Sequence, residues 1–286
     1  MFERIISIDW SGANVENLGV NLRVTSFDGG TDECHIINRH HGNREFVSWS
    51  RSACREWLIA RLHETPTTLI ACDFGFGLPW GADSALFDVV GWREMIRSIG
   101  QLYRTQKTAR ASAHMINAMA NFNGHGPYRF NENRSDFRFH LDHGVGYYRL
   151  TEMLSPEAIS QWYMGSGPTV GFHTITGLAA IDELICLREK GEIDFEVWPH
   201  ETMSPSGDKH VLVESYPSIC PDLDNYGACR DNDQRDAWKV LQFLVAARAN
   251  ETLLQMFDIP EQPCGRIAEV PFETQIQFEG YILGLR

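Results

Sequence analysis

Arg4-Ile5-Ile6-Ser7-Ile8-Asp9-Trp10 is a short apolar run that closes on a carboxylate. It reads as a buried β-strand with its acid at the C-terminal end. Residues 18–26 (Leu-Gly-Val-Asn-Leu-Arg-Val-Thr-Ser) alternate with period two, so one face is expected to be wet. Residues 33–38 form a third, shorter run, and Gly12, Asn17 and Gly29-Gly30 punctuate between the three. Three strands so close in sequence predict an antiparallel meander. Next, Ala53, Trp57, Leu58 and Leu62 fall near helical spacing within 50–63. Residues 67–73 (Thr-Thr-Leu-Ile-Ala-Cys-Asp) then repeat the apolar-run-plus-acid pattern. A helix between strands implies a crossover, so this strand is expected to run parallel to the first.

The pattern then changes. One helix is predicted over 83–100, followed by a stretch rich in Asn, Gly, Arg, His and aromatics. We read 80–170 as an insertion or cap within a single domain spanning 1–286. A further helix is predicted over 173–190. Strands are predicted at 194–199 and 210–215, joined as a hairpin through Pro205-Ser206-Gly207, and a last helix covers 233–248. The sum is an α/β chain in which three antiparallel strands precede parallel ones, with helices on both faces.

Asp9, Asp73 and Glu214 each end a predicted buried strand, and in open α/β sheets ligands bind at that edge. Turn-forming residues follow each acid at once: Trp-Ser-Gly, Phe-Gly-Phe-Gly-Leu-Pro and Ser-Tyr-Pro. Asp233 and Asp236 lie three apart at a helix start, where they share a side and negative charge is favoured. A single Asp at a strand end commonly serves as a turn former or cap. Several at equivalent edges point instead to a shared site. Converging carboxylates without matching Lys or Arg repel, and a hard divalent cation such as Mg2+ or Mn2+ compensates them. Two such ions about 3.5–4 Å apart activate a water and stabilise the leaving oxygen in phosphodiester hydrolysis.

These segments carry a resemblance. Ile8-Asp9-Trp-Ser-Gly, Asp73-Phe-Gly-Phe-Gly-Leu-Pro79, Val-Trp198-Pro199, Val-Glu214-Ser-Tyr-Pro217, Asp233-Gln-Arg-Asp236-Ala and Glu279-Gly-Tyr-Ile-Leu-Gly284 resemble, in order and spacing, a family of predicted RNase H-fold nucleases. That family is similar to the Holliday-junction-resolvase branch of the RNase H superfamily. The resemblance implies an RNase H-like core with a large inserted cap and a nuclease activity. In the family's Asp-Gln-His-Asp pattern the third position is usually His; here it is Arg235.

Composition sets the remaining bounds. Hydrophobic residues make up 43% of the 286 and charged residues 22%, enough for a substantial core. No apolar run reaches the ~18–20 residues of a membrane span. No basic segment followed by an apolar one opens the chain, so neither membrane nor secretory signal is expected. The seven cysteines are odd in number, scattered and without a CxxC pair, which suits reduced thiols in the cytoplasm. Net charge is −13, against broad nucleic-acid binding. Yet 93–149 holds nine Arg or Lys against four Asp or Glu. Arg104, Lys107, Arg110, Arg134 and Arg138 are interleaved there with aromatics, a pairing suited to single-stranded nucleic acid. The Gly165–Gly171 loop could seat a phosphate. His40, His41, His140 and His143 lack a third ligand at zinc spacing and are expected to be structural or solvent-facing.

The expected function is therefore a metal-dependent nuclease acting on DNA or RNA. Asp9, Asp73, Glu214 and Asp236 are its catalytic set, Asp233 completes the metal shell, and two Mg2+ or Mn2+ ions serve as cofactors. Two alternatives stay open. One is a non-catalytic binding protein of the same fold, favoured by the acidic charge and Arg235. The other is an actin-like or sugar-kinase-like phosphotransferase, suggested by Asp9-Trp-Ser-Gly and Asp73-Phe-Gly. The second alternative lacks an evident Gly-Gly adenosine motif and room for two such domains.

Overall fold

The computed structural model describes residues 2–13, 22–41, 44–46, 48–119, 126–130, 140, 143–155, 157–165, 169–227, 229–260 and 265–286, without the side chains of 40, 41 and 44. Its centre is a six-stranded sheet. The strands are β1 (Arg4–Asp9), β2 (Arg23–Asp28), β3 (Glu33–Ile37), β6 (Thr68–Cys72), β7 (Glu196–Val197) and β8 (Val211–Glu214), in spatial order β3-β2-β1-β6-β8-β7. β1 pairs antiparallel with β2, and β2 with β3, while β1, β6, β8 and β7 run parallel. A separate small hairpin joins β4 (Arg39–His41) to β5 (Arg44–Phe46).

Period-two alternation divides the core. Ile6, Ile8, Ile70, Cys72 and Leu212 face one buried cluster; Ile5, Leu69, Ala71, Val211 and Val213 face another. The first cluster takes in α1 (Arg51–Leu62), α3 (Trp92–Gln106), α4 (Ala109–Met119) and, through Ile175, Leu178 and Ile181, α6 (Gly171–Glu189). The second takes in Val240, Leu241 and Leu244 of α7 (Asn232–Ala249) and Ile276 of α8 (Phe272–Glu279). Helices thus cover both faces. Within 80–170, α2 (Ala82–Phe87), α3 and α4 add Leu86, Met95, Ile96, Ile99 and Ile116 to the same cluster as the strand residues. The short α5 (Leu150–Leu154) follows them.

Two local expectations change. The segments 194–199 and 210–215 do not form a hairpin: β7 and β8 run parallel, with Glu196 opposite Val211 and Val197 opposite Leu212. The chain turns directly after Val197, and residues 198–210 carry it back to start β8 level with β7. A connection of a dozen or so residues suffices for a parallel crossover. The helix predicted over 83–100 is two helices. Asp88 (φ 53°) and Gly91 (φ 89°) take left-handed or positive-φ backbone between them, and Asp83 accepts the Gly91 N–H at 2.6 Å. Among the described residues, no helix is long and apolar enough to cross a membrane.

Candidate carboxylate site

Adjacent strand ends bring the first two acids together. Ile8 pairs with Cys72, and the Asp73 N–H donates to the Ile8 carbonyl at 3.0 Å, so Asp9 and Asp73 leave the sheet side by side. By alternation Asp9 follows Ile5, and Asp73 follows Leu69 and Ala71, so both point to the face that α7 covers. α7 begins beside them. Its N-cap is Asp231, whose side chain accepts the Gln234 N–H at 2.8 Å. Asp233 and Asp236 follow in the first turns, Asp233 half-buried and Asp236 exposed.

The electrostatics are those of crowded acid. Asp9 is 9% exposed, and its carboxyl is pushed up to about 10 by burial and then by the charges of Asp73, Asp233 and Asp236. Asp73 is pushed up to about 8 by burial, then by Asp236 and Glu214. Burial and Asp233 raise Asp236; burial, with Asp231, raises Asp233. Arg23, opposite Asp9 in the β1–β2 register, lowers Asp9, but its donors are engaged elsewhere. Nη2 and Nε bind Asp231 at 2.8 and 3.2 Å, and Nη1 binds Ser48 Oγ at 2.9 Å. Burial pushes Asp231 up, but Arg23 and the Gln234 N–H outweigh it and hold Asp231 below the ordinary value.

The loop after Asp9 is pinned from the other face. Arg51 Nη1 donates to the carbonyls of Ser11 (2.9 Å) and Ala13 (2.8 Å), and the Trp10 indole N–H donates to Thr176 Oγ1 at 3.0 Å. Gly12 has to be glycine: a Cβ there would lie 2.4 Å from the His173 ring and 2.5 Å from Phe172 Cβ.

Glu214 is placed differently from Asp9, Asp73, Asp233 and Asp236. It pairs with Cys72 and follows Leu212 in the alternation, one position out of phase with Asp73, and it lines the same small cleft as Asp73, Gly75 and Arg149. Both of its oxygens are occupied. Arg149 Nη2 donates to Oε1 at 2.6 Å, and Oε2 accepts from Arg149 Nη1 at 2.7 Å and from the Phe76 N–H at 2.9 Å. Neither the Asp231–Arg23 pair nor the pairing of Arg149 with its glutamates follows from the sequence pattern. Asp231-Asn-Asp-Gln234 has the spacing of a capping motif and could have flagged the N-cap. Arg149 and Glu214 are 65 residues apart and share no local signal.

Of the expected substrate-binding cations, Arg104 is bound to the fully buried Asp182 at 2.9 Å, Asp182 also pairing with Arg93 at 2.7 Å. Lys107 is exposed and caps α3 at φ 64°. Arg110 lies over the rings of Phe130 and Phe172, 5.1 and 5.6 Å from their centroids. α3 and α4 pack on the face away from α7, but Phe172 sets Arg110 beside the Gly12 loop. Arg134 and Arg138 lie outside the described residues, as do 166–168 of the Gly165–Gly171 loop. His140 Nδ1 donates to the Val145 carbonyl at 3.0 Å.

The donor chemistry of Asp9, Asp73, Asp233 and Asp236 suits a hard divalent cation: oxygens alone, excess negative charge, and a neighbouring Arg23 committed elsewhere. As the side chains stand, no group of three or more His, Cys, Asp or Glu among the described residues is arranged to hold a metal ion. Comparison with protein-family models, with curated proteins and with solved structures returned no match.

Proposed function

We propose that this chain is an RNase H-like, metal-dependent phosphodiester hydrolase acting on nucleic acid, with Asp9, Asp73 and Asp236 as its core and Asp233 at its edge. The fold reading draws on the strand order, three antiparallel strands followed by parallel ones, with helices on both faces. One observation carries the site. Acids from two strand ends and one helix start raise one another's proton affinity, while the nearest arginine is bound to a fifth acid.

Asp9, Asp73, Asp233 and Asp236 would hold the Mg2+ or Mn2+, which when bound supplies an activated water and charge stabilisation for the departing oxygen. The chain's own contributions follow from its contacts. Asp9 and Asp73 are fixed by backbone pairing at neighbouring strand ends, so they present oxygens from a rigid edge. Asp236, being exposed, faces the side from which substrate arrives. Arg23 pairs with Asp231 and so keeps the helix start seated on β2. Arg110, held over Phe172 beside the Gly12 loop, offers positive charge to a phosphate backbone.

The test is cleavage of labelled single- and double-stranded DNA and RNA with Mg2+ or Mn2+. Activity in the wild type, lost in Asp9→Asn and in EDTA, is expected; cleavage that survives Asp9→Asn overturns the assignment. A non-catalytic binding role is the second reading, favoured by the absence of a ready-made ligand set among the described residues. Retention of nucleic acid with no hydrolysis in either metal would select it.

A further inference from the structure

Asp73 leads into Phe74-Gly75-Phe76-Gly77-Leu78-Pro79-Trp80, and two buried carboxylates hold the main chain of this loop. Glu214 Oε2 accepts the Phe76 N–H at 2.9 Å, and Glu279 Oε1 accepts the Trp80 N–H at 2.9 Å. One guanidinium ties them together. Arg149 donates to both oxygens of Glu214 and, through Nη1, to the Glu279 carbonyl at 3.0 Å; its Nε binds Glu152 at 2.7 Å. The other Glu279 oxygen takes the Leu150 N–H at 2.7 Å. Arg149, Glu152, Glu214 and Glu279 are all 4% exposed or less.

The loop is shaped to meet them. A Cβ on Gly77 would lie 2.4 Å from the Glu279 carbonyl oxygen, and one on Gly75 would lie 2.4 Å from Gln161 Oε1. The Trp92 indole N–H adds a third tie, to the Phe76 carbonyl at 2.6 Å. Buried ion pairs are a poor means of gaining stability, since apolar groups of the same volume often do as well. A buried charge cluster whose acceptors point at one loop's N–H groups instead fixes where that loop runs. Its first residue is Asp73.

We propose that Glu214 and Arg149, with Glu279, are positioning residues: a buried latch that fixes the loop after Asp73 and so aims the Asp73 carboxylate for ion binding. Glu214 then acts through the Phe76 main chain and not as a ligand. The inference rests on the reading of Asp73 as a metal-holding residue and deepens it. Outer groups that orient metal ligands typically cost 10–100-fold in affinity when removed. A purely structural latch would lower stability and leave the folded protein's ion binding unchanged.

The experiment uses the full chain, with Mn2+ affinity from calorimetry and amide hydrogen exchange of the 73–81 segment. Glu214→Gln and Glu279→Gln are compared with wild type and with Glu183→Gln, which removes an ion pair with Arg55 between α1 and α6, away from the 73–81 segment. Both latch variants are expected to bind Mn2+ ~10-fold more weakly or worse, and to exchange faster in 73–81 with α7 unchanged. Glu183→Gln should match wild type in both. Release of the loop with Mn2+ affinity within about twofold of wild type overturns the latch while leaving the metal reading intact. So does unchanged exchange in the loop. If Glu214→Gln does not fold, Glu279→Gln carries the test, because it keeps the Arg149–Glu214 pair. A wild type that takes up no Mn2+ is a different failure: it removes the metal reading, and the latch's role in ion binding with it.

Discussion

Replacing Asp9 with asparagine keeps the side chain's shape and removes the need to take up a proton on folding, and in the metal-free protein this should be stabilising. The Asp9 carboxyl is pushed from 3.8 up to about 10, by burial first and by Asp73, Asp233 and Asp236 after it. A carboxyl raised in this way contributes stability fully below the unfolded value of 3.8 and loses it as pH rises toward about 10. Each tenfold in proton affinity is worth ~1.4 kcal/mol, so at pH ~7.5 the ceiling on the penalty is ~5 kcal/mol. Water at the exposed edge of Asp9 and side-chain rotation reduce this, and we expect a gain of ~2 kcal/mol for Asp9→Asn in EDTA. For a chain of this size that is a rise in Tm of roughly 4–8 °C. The advantage over wild type should shrink toward pH ~4 and grow toward pH ~9, following the sign of the linkage. Saturating Mn2+ should reverse the order, since only the wild type gains binding energy from the ion. Urea unfolding at several pH values, with EDTA or with Mn2+, measures all of this. An Asp9→Asn protein less stable than wild type at neutral pH, by an amount independent of pH, would refute the reasoning.

Further outcomes are expected elsewhere. Arg149→Met leaves Glu152 and Glu214 buried without their cation and should cost ~3–5 kcal/mol by urea unfolding; Arg149→Met with Glu214→Leu should recover part of it. Gly12→Ala drives a methyl into His173 and Phe172 and should destabilise by ~1–3 kcal/mol, read as a lower Tm. His200 is held down to about 3 by burial, so its contribution is present above pH ~6.5 and lost as pH falls toward 3. His200→Gln should therefore flatten the acid limb of the stability profile by close to one proton, as measured by Tm between pH ~4 and ~6.5. A variant whose acid limb runs parallel to wild type would show that His200 does not titrate with unfolding.

The parts of this site that sequence made legible are those written in local pattern. An apolar run closed by an acid placed Asp9 and Asp73 at strand ends, and helical spacing placed α7 within a residue of its ends, 232–249 against the predicted 233–248. What depended on register was hidden. Glu214 also ends an apolar run, but its pairing with Cys72 sets it one position out of phase with Asp73, the residue just past the end of β6, and within reach of Arg149. Moving one position along a strand reverses its side, and no composition records that. The parallel β7–β8 pair was hidden for a related reason: two short runs around a Pro-Ser-Gly turn look like a hairpin, and only the length of 198–210 argues otherwise. Charge counting misled most in the basic island. Arg149 is spent on Glu152 and Glu214, and Arg104 on Asp182, partners 65 and 78 residues distant for Glu214 and Asp182. A local excess of arginine says nothing about the acids that fold against it.

Anomalous diffraction from a crystal of the full chain grown with Mn2+ puts the site itself on view. We expect a manganese peak ligated by Asp9, Asp73 and Asp236 at the start of α7, with Glu214 still bound to Arg149. A crystal saturated with Mn2+ whose aspartates hold no ion, or whose ion sits at Glu214, would contradict the assignment.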